Sequence, residues 1–177
     1  MPATFALLRH LPTALAPGHC YGRLDLPPGP ASPAAALAGL RNFPARTLLS
    51  SPAARCMALA GAVAAATGLA ARPEPGLLEL DFGAWEGARW DDVPRAALDA
   101  WAADPWGFAP PGGESGAALV ARVRAVFATM RPGTVVVSHG GPLKVLAALI
   151  AGRPVDLLAP APPMGSCVLH PPGGGLP

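Results

Sequence analysis

The chain begins with an apolar run over residues 4–8 that leads directly into Arg9-His10. A run this short, ending on polar residues, predicts a buried strand that delivers those two side chains at its C-terminal end. The following stretch, 11–33, is interrupted by Pro12, Pro17, Gly18, Gly22, Pro27, Pro28, Gly29 and Pro30, and reads as loop. Loops of this length inside a compact unit often carry function. Ser32-Pro33 has the form of an N-cap followed by proline at the first helical position, and predicts a helix to about Leu40. Residues 47–50 form a second short strand pattern. Ser51-Pro52 then repeats the cap signal for a helix to about Thr67, with Gly68 as its stop.

Residues 77–80 suggest a brief strand or extended segment. Helices are expected over 93–102 and 115–130, and a β-branched strand over 134–137. Gly140-Gly141-Pro142 opens a helix to Ile150, and Gly152 ends it. Residues 167–169 are expected to be a last edge strand, and the Pro/Gly-rich tail over 171–177 is expected to be loose. Strands alternating with helices imply a three-layer α/β/α sandwich with a largely parallel central sheet. With no internal repeat and no linker, residues 1–177 are read as one domain. In such sheets the sites form beyond the carboxyl ends of the strands. Three of the expected strand ends carry polar pairs: Arg9-His10, Ser50-Ser51 and Ser138-His139.

Composition narrows the function classes. Hydrophobic residues make up 51% of the 177 and charged residues 14%, which supplies a core and argues against disorder. The formal charge is only +2, Lys144 is the only lysine, and no basic run suggests a nucleic-acid stripe. A few arginines gathered in one pocket suit a small phosphate-bearing substrate, because the guanidinium fork matches phosphate oxygens in pairs. Cys20, Cys56 and Cys167 show no CxxC spacing, so reduced thiols fit better than a disulfide framework or a zinc site. The start lacks the basic n-region and long apolar stretch of a signal peptide, and the Ala-rich runs fall short of a membrane span. A cytoplasmic location is the expectation.

Phosphoryl transfer to a side chain needs a nucleophile, donors around the phosphoryl oxygens, and an acid for the leaving oxygen. His10 has the setting for a nucleophile if a hydrogen bond fixes its tautomer. Arg9 and Arg55 supply paired donors, helix N-termini add backbone N–H groups, and His139 completes the cage as a second, protonated imidazole. Glu79, in Leu-Glu-Leu-Asp-Phe-Gly-Ala-Trp-Glu-Gly, is the best acid, and a neighbouring phosphate would keep its proton on by like-charge repulsion. Each residue alone also has an ordinary reading. A lone histidine after a strand is more often structural than catalytic, Arg55 reads equally as a solvated helix residue, and Glu79 and Glu86 as surface carboxylates. Ser138-His139 would serve as a helix cap, and the four tryptophans as packing.

The order of the set carries more weight than any member. Leu-Leu-Arg9-His10-Leu-Pro-Thr13 resembles the Arg-His-Gly-x-Thr signature of the histidine phosphatase superfamily, which includes cofactor-dependent phosphoglycerate mutase. Ser50-Ser51-Pro52-Ala-Ala-Arg55 resembles its second-arginine motif. Glu79-Leu-Asp-Phe-Gly-Ala-Trp-Glu-Gly87 is similar to the segment bearing the acid, Pro111-Gly-Gly-Glu-Ser115 to the run before the penultimate helix, and Ser138-His139-Gly140-Gly141 to the second-histidine motif. Leu11 stands where the family signature has glycine, and Ala16 roughly where many members place a phosphate-binding asparagine.

The resemblance implies that His10 is phosphorylated, that Arg9, Arg55 and His139 bind the phosphoryl group, and that Glu79 donates the proton. It places Thr13, Tyr21, Gly22, Arg23 and Gly140 against substrate, and implies no metal and no organic cofactor. Short length, the Asp-Phe-Gly-x-Trp-Glu-Gly form and Cys20-Tyr-Gly-Arg-Leu-Asp-Leu-Pro27 look most like the α-ribazole phosphatase branch, which acts late in cobalamin biosynthesis. The partner is expected to be a small phosphorylated metabolite, with neither nucleic acid nor membrane involved and a homodimer left open. The alternatives are a phosphoglycerate mutase with a longer-lived phosphoenzyme, and a non-catalytic phosphate-binding or interaction module.

Overall fold

The computed structural model describes residues 4–15 and 17–171, so Ala16 and all of the expected loose tail except Pro171 lie outside the described residues. Five strands form one sheet in the order β3-β2-β4-β1-β5. They are β1 (Phe5–Arg9), β2 (Thr47–Ser50), β3 (Ala71–Pro73), β4 (Thr134–Ser138) and β5 (Cys167–His170). β5 runs antiparallel to β1, and the other pairings are parallel. The helices are α1 (Ala34–Gly39), α2 (Ala54–Thr67), α3 (Arg95–Ala103), α4 (Gly116–Thr129) and α5 (Gly140–Ile150).

Alternation along the strands divides the core. Phe5, Leu7 and Val136 point to one face and pack with Val123 of α4 and Leu143 and Leu146 of α5. Ala6, Leu8, Val135 and Val137 point to the other face and pack with Ala36 of α1 and Leu59 and Val63 of α2. Because both faces are covered, β1 and β4 read as continuous apolar runs rather than alternating ones. This is the expected three-layer sandwich.

Register positions the site. β4 lies between β1 and β2, with Arg9 opposite Ser138 and Ser50 opposite Val137. The chain leaves all three strands at one edge. There the His10 N–H donates to Ser138 O at 3.1 Å, and the Ser51 N–H to Val137 O at 2.9 Å. His10, Ser51 and His139 therefore emerge side by side, although they lie far apart along the chain.

Two expectations shift, and one strand is added to them. Of the two readings of 77–80, the strand is not formed: a 3-10 turn over Pro75–Leu77 leads into non-strand backbone, with Leu78 at φ −58° and ψ 151°. The carbonyls of Gly76, Leu78 and Glu79 accept from the Arg122 guanidinium rather than from a neighbouring strand. β3 has no counterpart in the sequence pattern because it has only three residues, includes Pro73, and occupies an edge where proline is tolerated. The Ser51-Pro52 cap also differs. α2 starts at Ala54, whose N–H donates to Asp25 Oδ1 at 2.8 Å, while the Ser51 hydroxyl faces His139. The stop at Gly68, in the left-handed region at φ +74°, acts as read, and Ser115 caps α4, its hydroxyl accepting from Ala118 N.

The long loop is not loose. It docks on the segment around residues 83–90 through Cys20 N–H to Ala88 O, Gly87 N–H to Cys20 O and Trp90 N–H to Gly18 O, each at 2.8–2.9 Å. No helix among the described residues is long and apolar enough to cross a membrane.

Candidate functional site

His10 is 2% exposed, and its ring lies 5.2 Å from that of His139, tilted at 61°. Its Nδ1 is 2.7 Å from Leu11 O. A carbonyl only accepts, so Nδ1 carries the proton and Nε2 presents its lone pair. Burial draws the His10 pKa from its ordinary 6.5 down to about 4, with the Arg55 and Arg9 guanidinium groups pushing the same way. The imidazole is thus neutral near pH 7. Leu11 causes no backbone strain, since Asn42 is the only non-glycine residue with positive φ among those described. Its side chain is buried and reaches Gly165.

Arg55, in the first turn of α2, is 1% exposed. Its Nη1 donates to Leu24 O at 2.9 Å, and its Nη2 to Gly22 O at 2.7 Å and His139 Nδ1 at 3.1 Å. Its guanidinium carbon lies 5.2 Å from the centre of the Tyr21 ring. Arg9 donates from Nη1 to Pro162 O at 2.8 Å. Among the described residues the buried Nε–H groups of Arg9 and Arg55 find no hydrogen-bond partner. Buried donors of this kind are costly in an apolar setting, and an anion brought to them would relieve that cost.

His139 departs from expectation. Arg55 has no lone pair to offer, so Nδ1 accepts, and Nε2 carries the proton toward Ser51 Oγ at 2.8 Å. Burial and then Arg55 hold its pKa well below the usual imidazole value, so it is neutral here rather than protonated. Both ring nitrogens are engaged, and His139 reaches an anion only by exchanging one of these bonds. Cys56 Sγ lies 3.5 Å from its Nε2, and burial pushes that thiol up to about 12, which makes it packing rather than a nucleophile.

Glu79 sits against the first turn of α5, which follows His139. Both carboxylate oxygens lie 3.2 Å from Gly141 N, and Oε1 also accepts from Leu80 N at 3.0 Å. A Cβ on Gly141 would overlap this carboxylate, so glycine permits the approach. Gly140 brings the helix N-terminus beside Arg9: a Cβ there would lie 3.5 Å from the guanidinium carbon.

The remaining predicted residues divide. Tyr21 and Gly22 lie at Arg55, and a Cβ on Gly22 would collide with Leu80 O. Thr13 forms an isolated antiparallel bridge with Pro28, lower in the same loop. Arg23 directs Nε to Glu79 O at 2.9 Å and sets Nη2 3.7 Å from Glu114, so its guanidinium faces the Glu79 backbone.

Sequence reasoning missed the parts that hold this arrangement. Glu86 accepts from the backbone N–H groups of Gly22, Arg23, Leu24 and Phe82 at 2.8–3.0 Å. Burial opposes its charge, yet these four bonds hold its pKa below the usual carboxylate value. Arg122 pairs with both oxygens of Glu114 at 2.7 and 2.9 Å and donates to Glu79 O at 3.0 Å. Position was the one signal open to a sequence reading, since Glu86 and Glu114 sit in the motif segments. Glu86→Ala leaves four N–H groups without their acceptor and is expected to cost about 2–3 kcal/mol. Urea unfolding reads that cost. KM should rise more than kcat falls, because the 22–24 turn carries carbonyls that orient Arg55. An unchanged midpoint with unchanged KM would show that the turn keeps its shape without the carboxylate.

A cavity of about 310 Å³ opens beside the site and includes Arg9, Glu79, Gly140 and Gly141 in its lining. A larger one, about 570 Å³, lies between α5 and β5 and includes neither Arg55, Glu79 nor His139. The smaller cavity shares Arg9 and Glu79 with the candidate site, while His10, Arg55 and His139 lie outside its lining.

Comparison with known proteins bears on the fold and the family. TTHB049 from Thermus thermophilus superposes with a TM-score of 0.72 at 30% identity, over 92% of this chain and 90% of that one. The mycobacterial glucosyl-3-phosphoglycerate phosphatase gives 0.69 at 29% identity, over 85% and 80% of the two chains. A protein described as mycobacterial hydrolase 1 gives 0.72 at 29%, over 85% and 82%. No curated protein matches the chain. The family model for the histidine phosphatase superfamily (branch 1) matches residues 6–171, and the chain belongs to that superfamily.

Proposed function

We propose that the chain hydrolyses a small phosphomonoester through a phosphohistidine at His10. The observation that carries this reading is the His10 ring itself: neutral, with Nδ1–H held by Leu11 O and Nε2 left with its lone pair. In the first half-reaction Nε2 attacks phosphorus while the ester P–O bond breaks, and the leaving oxygen takes the proton of Glu79. In the second, water attacks the phosphohistidine, gives a proton to the Glu79 carboxylate and restores the imidazole. Arg9 and Arg55 neutralise the phosphoryl oxygens, the Gly140 end of α5 adds backbone donation, and His139 orients Arg55. Tyr21 and Gly22 border the substrate through Arg55, Thr13 through the loop, and Arg23 through the backbone of Glu79.

The substrate is a small phosphorylated metabolite. The finer reading, α-ribazole 5′-phosphate, is supported by the likeness of residues 20–27 and 81–87 in sequence. A glycosylated phosphoglycerate is suggested by the name of one structural relative.

Release of phosphate from p-nitrophenyl phosphate in excess chelator tests the reading. Protonating His10 removes the nucleophile, so kcat/KM should fall on the acid side. Its pKa is lowered, so this limb is expected near pH 4 after correction for substrate ionisation, not near 6.5. Turnover that vanishes in chelator, or an acid limb at 6.5, would overturn the assignment of His10.

A further inference from the structure

The cavity beside the site has an uneven chemistry. Its charged side chains are Arg9, Glu79 and Lys144. The Lys144 ammonium donates to Leu157 O at 2.7 Å, which ties the 156–158 turn to α5 as one wall. The rest of the wall is apolar, with Phe82, Trp101, Leu119, Leu157 and Leu158. Phe82 and Trp101 meet edge to face at 5.8 Å and belong to a packed aromatic cluster, so that wall is rigid. Among the described residues, the lining contains no hydroxyl and no carboxamide side chain.

A polyhydroxylated alcohol placed here would lose water from its hydroxyls and find few neutral partners, whereas an alkyl or aryl group would lose only unfavourable hydration. Discrimination by hydrogen bonding requires built polar partners, and the cavity has not built them. His10 is buried, so the cavity meets the site through Arg9 and Glu79, the residues assigned to the phosphoryl group and the leaving oxygen. The cavity is the space beside Glu79 that a group attached to that leaving oxygen would enter.

We propose that the cavity bounded by Phe82, Trp101, Leu119 and Leu158, beside Arg9 and Glu79, is the leaving-group subsite, and that it selects phosphomonoesters of apolar or aromatic alcohols over polyhydroxylated ones. This deepens the phosphatase reading, rests on it, and ranks both sugar-bearing substrates named above below alkyl and aryl phosphomonoesters.

The test uses the wild-type protein with n-alkylphosphonates from ethyl to hexyl, which bind without reacting, and calorimetry as readout. Affinity is expected to rise about fourfold for each methylene buried. Glycerol 1-phosphate and glucose 6-phosphate are expected to bind no better than ethylphosphonate. Leu158 is 65% exposed at the rim, so Leu158→Asp leaves the core intact and should cut the hexyl-to-ethyl affinity ratio at least tenfold. A flat series, or tighter binding of the sugar phosphate, overturns the subsite. Turnover of the matching n-alkyl phosphates, whose leaving groups are nearly equal in basicity, separates the two readings. Graded binding with no trapped phosphohistidine keeps the apolar subsite and sinks the phosphatase. Turnover that ignores chain length, together with flat binding, keeps the phosphatase and sinks the subsite.

Discussion

His10→Asn is expected to lower kcat by about 10⁵-fold and to abolish the acid-labile phosphoenzyme, while the protein remains folded. The size follows from the role, since removing a nucleophile eliminates the covalent route and leaves only binding and electrostatic stabilisation. Asparagine suits the test because its carboxamide still donates toward Leu11 O, the bond made by Nδ1. The change also removes a buried imidazole whose charging is disfavoured, so acid stability should not suffer. Rapid mixing with p-nitrophenyl phosphate, quenched under alkaline conditions, shows whether phosphate stays on the protein. Wild-type turnover in the variant would move the nucleophile elsewhere and end the phosphohistidine mechanism.

Glu79→Gln comes next in size, with a loss of about 10²–10⁴-fold that depends on the leaving group. An alkoxide needs the Glu79 proton as the P–O bond breaks, whereas p-nitrophenolate leaves largely unaided. The loss should therefore be large for ethyl phosphate and small in the first step for p-nitrophenyl phosphate. With the aryl ester the second step becomes limiting, because the carboxamide cannot accept the proton of water. A burst of nitrophenol followed by slow turnover, with phosphohistidine accumulating, is the expected signature. Glutamine retains an oxygen to accept from Gly141 N, so local geometry should persist. Equal losses for both esters would reassign Glu79 from proton transfer to holding the start of α5.

The first of these experiments bears on a residue that stands out in the linear chain, and the reason is local. Arg9-His10 and Ser138-His139 follow apolar runs, and such runs become strands buried on both faces. Strand ends at one edge of a parallel sheet share a surface, so polar residues just beyond them are natural candidates. The helix stop at Gly68 is likewise local and acts as read.

Other features depend on partners far away in sequence. The 77–80 stretch has the apolar content of a strand, but Arg122 and Arg23 claim its carbonyls from 43 or more residues away. Ser51 resembles a cap, but its hydroxyl goes to His139 and Asp25 serves the helix instead. A phosphate cage favours cations, which predicts a charged His139. Enclosure beside Arg55 reverses that in the free protein.

By itself, the sequence determined the alternation of strands and helices, the two-sided burial of the sheet, and the identity and order of the His, Arg and Glu side chains. Those properties follow from patterns spanning a few residues, where periodicity and capping act. The tertiary structure alone decided that β4 lies between β1 and β2, so that His10, Ser51 and His139 meet at one edge. It also decided that Glu86 holds the 22–24 turn while Glu79 faces α5, and which histidine nitrogen is left free. The physical reason is that a buried polar group takes whichever donor or acceptor the fold brings within about 3 Å, and that neighbour is chosen by strand register rather than by distance along the chain.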